Sequence, residues 1–176
     1  SIDTGTVASS TAGQITVTAS VDETLTFTLA SATVALGTLT TSTTGSGTSA
    51  MTVSTNGATG YVVSVNGTTL TSGANTITAL GSPTASTQNT KQFGINLMAN
   101  ATPSVGSAVS GTGSGVPAAG YNTANSYKFV TGETIASASG PTNSNTFTVS
   151  YIANIDGSTA AGAYSTLLTY IATANF

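Results

Sequence analysis

The stretch Gln14-Ile-Thr-Val-Thr-Ala-Ser-Val21 and the run Leu25-Thr-Phe-Thr-Leu29 that follows it decide the fold class of this chain. In both, apolar residues alternate with threonine or serine. Successive side chains of a β-strand point to opposite faces, so a period of two places the apolar residues on a core and the hydroxyl residues in solvent. Threonine suits such a strand because its branched Cβ packs well on a pleated surface. The two stretches therefore predict half-buried β-strands.

The same alternation continues along the chain and predicts about ten strands, joined by turn signals such as Asn56-Gly57 and Asp156-Gly157. The further expected strands lie at Val34–Leu39, Met51–Val53, Tyr61–Val65, Ile77–Leu80, Phe93–Leu97, Tyr127–Phe129, Phe147–Ile155 and Tyr164–Ala174. No segment combines a helical period with capping residues. A chain of 176 residues is long enough for one core. We predict an all-β, single-domain, jelly-roll-like two-sheet sandwich over residues 14–176, preceded by an N-terminal extension over residues 1–13.

Charged side chains are unusually rare in this sequence. Asp, Glu, Lys and Arg make up 4% of the residues, against roughly 25% in ordinary soluble domains. Histidine, cysteine and tryptophan are absent, which excludes a Ser–His–Asp or Cys–His arrangement and removes the usual ligands of zinc, haem and iron–sulfur centres. With two basic residues and a net charge of −3, the chain is poorly suited to neutralising nucleic-acid phosphates. We expect no enzyme activity, no metal, no cofactor and no nucleic-acid partner.

The expected location of the protein is the cell exterior. No apolar run approaches the ~18 residues of a membrane span, and the chain begins at Ser1 rather than at a methionine. We therefore expect a processed, mature chain without a membrane span. The low charge also removes much of the repulsion that keeps proteins apart in solution. Together these features favour a secreted, extracellular protein that associates with itself at a cell surface.

The five acidic residues provide the main alternatives to a non-catalytic function. They are Asp3, Asp22, Glu23, Glu133 and Asp156. Two of them within reach of each other could form the carboxylate pair of a secreted hydrolase. The adjacent pair Asp22 and Glu23, joined by Asp156 or by backbone carbonyls, is a candidate calcium site. A solvated turn between two strands explains this pair more simply.

Lys91 and Lys128 are the only basic residues, and each lies beside an expected strand. A lysine in such a position usually protects a sheet edge from pairing with another chain. A covalent bond between a buried lysine and an asparagine, with Glu133 as the neighbouring acid, is the alternative for Lys128. We expect no such bond, and an intact mass without the loss of about one ammonia, because a buried triad of this kind is a demanding geometry.

Two features of the sequence concern carbohydrate. Asn66 and Asn100 each begin the acceptor pattern for N-linked glycans, although two such matches are expected by chance in a chain this rich in Asn and Thr. The long segment Asn100–Asn125 contains two prolines and several glycines, and we expect it to form an irregular surface loop with Tyr121 exposed. An exposed aromatic patch around Tyr121 is the basis of an alternative function, a cell-surface adhesin or carbohydrate-binding domain. Surface glycans are therefore candidate partners.

The threonine-rich stretches quoted above, together with the run Ala161-Gly-Ala-Tyr-Ser-Thr-Leu-Leu-Thr-Tyr170, resemble secreted β-sandwich subunits that polymerise into surface filaments. The chain is similar in style and strand order to biofilm fibre proteins of the TasA and camelysin type and to archaeal bundling pili. The resemblance covers the whole chain and uses no specific motif. It implies a jelly-roll sandwich that lacks one strand, with the gap filled by an N-terminal strand of the neighbouring subunit, an arrangement called donor-strand complementation.

The sequence also offers little protection for a sheet edge, because it has two lysines and its four prolines all lie in expected loops. We predict that Ser1–Ala12 leaves its own domain and adds as a strand to a neighbour, with Gly13 as a hinge. Gln14–Val21 and the C-terminal strand ending at Phe176 are the alternative donors. The predicted interface residues are Ile2, Thr4, Thr6, Val7, Ala8 and Ala12. The predicted function is a structural subunit of an extracellular filament, pilus-like or part of a biofilm matrix, built head-to-tail from identical subunits.

Overall fold

The computed structural model describes residues 1–174, and these residues form an all-β structure without helix. The predicted fold class is therefore confirmed, and residues 175 and 176 of the predicted domain lie outside the described residues. Thirteen strands form instead of about ten, because six of them are two-residue ladders in connecting segments. The strands are β1 (Leu25–Leu29), β2 (Gly45–Thr55), β3 (Tyr61–Gly67), β4 (Thr71–Ser72), β5 (Asn75–Thr76), β6 (Gln92–Asn96), β7 (Asn100–Ala101), β8 (Ser104–Val105), β9 (Ser110–Gly111), β10 (Val116–Pro117), β11 (Thr134–Ala138), β12 (Thr142–Asn154) and β13 (Leu168–Ala174).

The longer strands form two antiparallel sheets. The first sheet has the order β1-β2-β12-β6, with the short β9 also paired to β12. The second sheet has the order β10-β11-β3-β13. The two longest strands, β2 and β12, pair in a register that places Met51 opposite Phe147 and Gly45 opposite Ala153. Because β1 and β13 each stand at the end of their sheet order, both are edge strands.

One hydrophobic core joins the inner faces of the two sheets. In β2, Met51 and Val53 are fully buried, while Thr52 and Ser54 between them are half-buried. This is the predicted period of two. Each apolar side chain of this size contributes about 1.5–3 kcal/mol on burial. The largest fully buried side chains include Tyr61, Phe93, Ile95, Leu97, Tyr121, Tyr127, Ile135, Phe147 and Ile152.

Three of the strands expected after Leu25 are not formed as such. Val34–Leu39 contains no strand, and Ile77–Leu80 and Tyr127–Phe129 contribute only isolated bridges. Ile77 and Tyr127 are nevertheless fully buried. An apolar pattern reports burial, whereas a strand also needs a neighbouring backbone in register. These segments pack on the core without a continuous ladder.

The segment Asn100–Asn125 is mostly irregular and most of its residues are exposed, as predicted, but it is tied to the fold at several points. It contains four of the short strands, β7 to β10. The Asn100 side-chain oxygen accepts a hydrogen bond from the backbone N–H of Asn125 at 2.7 Å. Gly106 has a φ of 85° and approaches β12 so closely that a Cβ at this position would clash with the hydroxyl of Ser150. The first part of the segment therefore packs against β12 at Ser150.

Candidate subunit interface

Residues 1–24 form no strand and are exposed along their whole length. The apolar side chains Ile2, Val7, Ile15, Val17 and Val21 are between 84% and 93% exposed. We call residues 1–21 the N-terminal arm. It contains every predicted interface residue, and all of these are exposed in the single chain: Ile2, Thr4, Thr6, Val7, Ala8 and Ala12.

The strand expected at Gln14–Val21 is not part of the sandwich, so that prediction is wrong. The first strand is β1, which begins at Leu25. A strand forms only where a neighbouring strand satisfies its backbone N–H and C=O groups. Within the described chain, no strand is hydrogen-bonded to Gln14–Val21. This segment, which has strict strand periodicity, therefore belongs to the N-terminal arm together with residues 1–13.

A groove of about 900 Å³ opens between the segment that follows β1 and the segment that precedes β13. Residues 29–39 and 159–168 form its walls. Its floor is formed by Leu70, Phe93 and the two tyrosines Tyr151 and Tyr170. We call it the edge groove. The sequence carries no signal for this groove, because its two walls are more than a hundred residues apart in the chain and neither contains a motif.

The edge groove lies beside two unprotected sheet edges. In the described part of the chain, β1 pairs only with β2, and β13 pairs only with β3. Apolar side chains are exposed here: Leu29 on β1 is 44% exposed, Ile171 on β13 is 46% exposed and the neighbouring Leu167 is 83% exposed. A row of free backbone donors and acceptors next to apolar surface is what an added β-strand recognises. The seam between the sheets is thus suited to accept a further strand.

Tyr151 of β12 and Tyr170 of β13 connect the two sheets at the floor of the edge groove. Their hydroxyl oxygens are 2.6 Å apart and share a hydrogen bond. Burial raises the pKa of both phenols, most strongly that of Tyr170, because a phenolate is poorly solvated there. The hydrogen bond from Tyr170 partly opposes this rise for Tyr151. The floor is therefore uncharged at neutral pH and suited to apolar side chains.

A second polar cluster joins Lys128, Glu133 and Tyr121. The Lys128 Nζ lies 2.7 Å from Oε2 of Glu133, and the Tyr121 hydroxyl donates to the same oxygen at 2.8 Å. The Lys128 hydrogen bond holds the pKa of Glu133 below its usual range, and burial raises the pKa of Tyr121. Two predictions are wrong here. Tyr121 is fully buried, and Lys128, with a side chain only 15% exposed, pairs inside the fold instead of protecting an edge.

The candidate calcium ligands are not brought together. Asp22 and Glu23 precede β1, at the end of the sandwich where Leu25 pairs with Thr55, whereas Asp156 follows the opposite end of β12. The Asp156 carboxylate accepts hydrogen bonds from the backbone and hydroxyl of Ser158, and these bonds lower its pKa. Among the described residues, no group of three His, Cys, Asp or Glu side chains is placed to hold a metal ion.

The amide nitrogen of Asn100 is occupied within the fold. It donates hydrogen bonds to the backbone carbonyls of Met98 at 2.7 Å and Val105 at 3.1 Å. A glycan on this nitrogen would replace one of its two hydrogens and so break at least one of these bonds. Asn66, the other acceptor candidate, is half-buried at the end of β3.

Comparison with known proteins places the chain in no family. No family model, no curated protein and no solved structure matches it. Over residues 1–174, no helix is long and apolar enough to cross a membrane. The function is therefore inferred from the N-terminal arm and the edge groove.

Proposed function

We propose that this protein is a non-catalytic structural subunit of an extracellular filament, in which the N-terminal arm of one copy adds as a strand in the edge groove of the next. One observation supports this function above all. The same chain carries a groove beside two unpaired sheet edges and an exposed arm with strand periodicity. The proposal also includes secretion of the protein and its kinship with pilus subunits and biofilm fibre proteins.

Burial of the apolar side chains of the arm provides the driving force. Each valine or isoleucine moved from water into the groove contributes about 1.5–3 kcal/mol. Each main-chain hydrogen bond contributes about 1 kcal/mol net. Association itself costs about 4–15 kcal/mol in lost freedom, so several residues must dock together. A strand that pairs along the free edge of β1 or β13 meets this requirement, whereas a single side-chain contact does not.

The positions of arm and groove favour a head-to-tail assembly. The arm leaves the domain before Leu25, at one end of β1, and the edge groove begins at Leu29, at the other end. A contact between two different surfaces repeats from copy to copy, and it stays open where the rotation between copies closes neither a ring nor a reciprocal dimer. Each subunit then donates one arm and accepts one, which generates an open filament.

Two parts of the arm are candidates for the donated strand. Ser1–Ala12, the donor predicted from the sequence, has Ile2 and Val7 as apolar anchors. Gln14–Val21 has denser alternation and likewise has no strand partner among residues 1–174 of its own chain. The C-terminal strand β13 is a weaker candidate, because it already pairs with β3.

Electron microscopy of negatively stained protein tests this function. Full-length protein should form filaments, and removal of residues 1–21 should leave soluble, filament-incompetent domains. Removal of residues 1–13 abolishes filaments if Ser1–Ala12 is the donor and preserves them if Gln14–Val21 is the donor. A synthetic peptide of the donor sequence should bind the shorter protein. Full-length protein that stays monomeric under all conditions contradicts the proposal and favours the adhesin alternative, although Tyr121, on which that alternative depends, is buried.

A further inference from the structure

Asn56 follows β2 directly, and its side chain holds the backbone just before β1. Its Oδ1 accepts a hydrogen bond from the backbone N–H of Thr24 at 2.6 Å, and its Nδ2 donates to the backbone carbonyl of Asp22 at 2.8 Å. The Thr24 carbonyl accepts two further bonds, from the Asn56 backbone N–H at 3.3 Å and from the Thr55 hydroxyl at 2.7 Å. These bonds fix the course of the chain from Asp22 to Thr24.

The same contacts extend the β1–β2 ladder past its last pair. Leu25 is paired with Thr55, so Thr24 lies opposite Asn56 and Asp22 lies beyond the end of β2. A carboxamide carries the same donor and acceptor as a peptide group. The Asn56 side chain therefore replaces the missing ladder residue. As a result, Asp22–Thr24 continues the line of β1 away from the edge groove.

Without this constraint, the arm could close on its own chain. The free edge of β1 is separated from Gln14–Val21 only by Asp22, Glu23 and Thr24. Connections of about two to five residues are the ones that form β-hairpins, and a hairpin needs no second molecule. An arm folded back along its own β1 would occupy that edge and be unable to join a neighbour.

We infer that Asn56 is a positioning residue that prevents this closure and directs the arm to a second copy of the chain. By holding Asp22 and Thr24 extended, it denies the chain the turn that a hairpin requires. Asn56 does not line the edge groove, so it acts only through the course of the backbone. The inference rests on the proposed strand donation and identifies what makes that donation intermolecular.

Distances between two spin labels measure the course of the arm in the monomer. The chain has no cysteine, so Val17→Cys together with Thr28→Cys creates the only attachment sites, and Thr28 is an exposed residue of β1. Below the concentration at which filaments form, we expect a distance of roughly 30–40 Å, because an extended strand rises about 3.3 Å per residue from Thr28 back to Val17. A closed hairpin would bring the labels within about 20 Å.

The decisive variant is Asn56→Ala, which removes both side-chain bonds to the backbone and the longer bond that the Thr24 hydroxyl donates to Oδ1 at 3.3 Å. Because these bonds are exposed to solvent, their loss should increase the closed population by only about tenfold, and a short-distance component should appear. In the unlabelled chain, the filament mass should decrease. Asn56→Asp keeps the acceptor for Thr24 but cannot donate to Asp22, and it should be intermediate. Asn143→Ala is the matched control, because Asn143 is exposed in the same small depression as Asn56. It should change neither measurement.

The two readouts separate the role of Asn56 from the proposed function. Melting temperature is followed in parallel, since mere loosening of the fold lowers it without creating the short distance. Identical distances in Asn56→Ala and the unsubstituted chain would overturn the role of Asn56, even if filaments form normally. A short distance between the two labels in the unsubstituted chain would also overturn the role of Asn56. If the distances change as expected but the unsubstituted protein never forms filaments, then strand donation between copies is overturned.

Discussion

Replacement of Val17 by serine tests whether a neighbouring groove buries the alternating face of Gln14–Val21. Val17 is 87% exposed in the single chain, so the substitution removes no packing from the monomer. If assembly buries this side chain, the substitution removes about 1.5–3 kcal/mol of binding free energy. A loss of about 2 kcal/mol corresponds to a roughly 30-fold weaker interface. The critical concentration for filament growth should rise by the same factor, with the melting temperature of the monomer unchanged.

Sedimentation measures this critical concentration as the protein that remains in the supernatant. Thr18→Ser is the matched control, because Thr18 points to the opposite face of a strand. We expect it to shift the critical concentration by less than roughly threefold. Val7→Ser applies the same apolar loss within Ser1–Ala12, the other donor candidate.

Equal critical concentrations for Val17→Ser, Val7→Ser and the unsubstituted chain would refute burial of the arm on assembly. An increase for Val7→Ser alone would assign the donor to Ser1–Ala12. An increase for Thr18→Ser as large as that for Val17→Ser would show that burial does not follow one strand face, which contradicts docking as a strand.

Three further predictions concern the folded domain. Phe147 is fully buried, so Phe147→Ala should lower the free energy of unfolding in urea by about 3–5 kcal/mol through the cavity it leaves; a loss below about 1 kcal/mol would contradict its place in the core. Burial raises the pKa of Tyr61 and Tyr127 to about 12, whereas unfolded tyrosines ionise near pH 10. The unfolded state releases these protons first, so stability present below about pH 10 should be lost towards pH 12, and a melting temperature constant over that range would disagree. Glu133→Gln leaves the largely buried Lys128 ammonium without its carboxylate and should lower the unfolding free energy by about 1–2 kcal/mol. Adding Lys128→Met removes the unpaired charge and should recover part of this loss, measured by thermal unfolding. If the double variant recovers nothing, the unpaired Lys128 charge is not the cause of the loss.

Local alternation was sufficient to predict the sheets and their buried faces. The side chains that the period of two places inside are buried: Met51, Val53, Tyr61, Val63, Val65 and Phe147. This succeeds because burial of one strand face is recorded in neighbouring residues. The pairing order of the strands is not recorded there, since β1, β2 and β12 are joined across long stretches of sequence.

Gln14–Val21 shows the limit of such a pattern. Its alternation equals that of Leu25–Leu29, yet only the second segment forms a strand in the single chain. The period indicates that one face of a segment is to be buried, but it does not indicate which chain supplies the partner. An expected strand without a partner is, in physical terms, a candidate for pairing with another molecule.

The predictions for Tyr121 and Lys128 are wrong because the groups that bury them are not their immediate neighbours. Tyr121 hydrogen-bonds Glu133 across a folded connection. For Lys128 a signal was present, since Tyr127 and Phe129 flank it with large apolar side chains. The contacts of Asn56 had no comparable signal, because its Asn-Gly dipeptide indicates a turn and its partners lie more than thirty residues earlier.

A density map of the assembled filaments, determined by electron cryomicroscopy, would show directly whether strands are donated between copies. Each edge groove should contain an extended segment continuous with Leu25 of the adjacent subunit. Apolar residues of the N-terminal arm, represented by Val17 or Val7, should face Tyr151 and Tyr170 on the groove floor. An empty edge groove, or one filled by the arm of the same subunit, would contradict strand donation between copies.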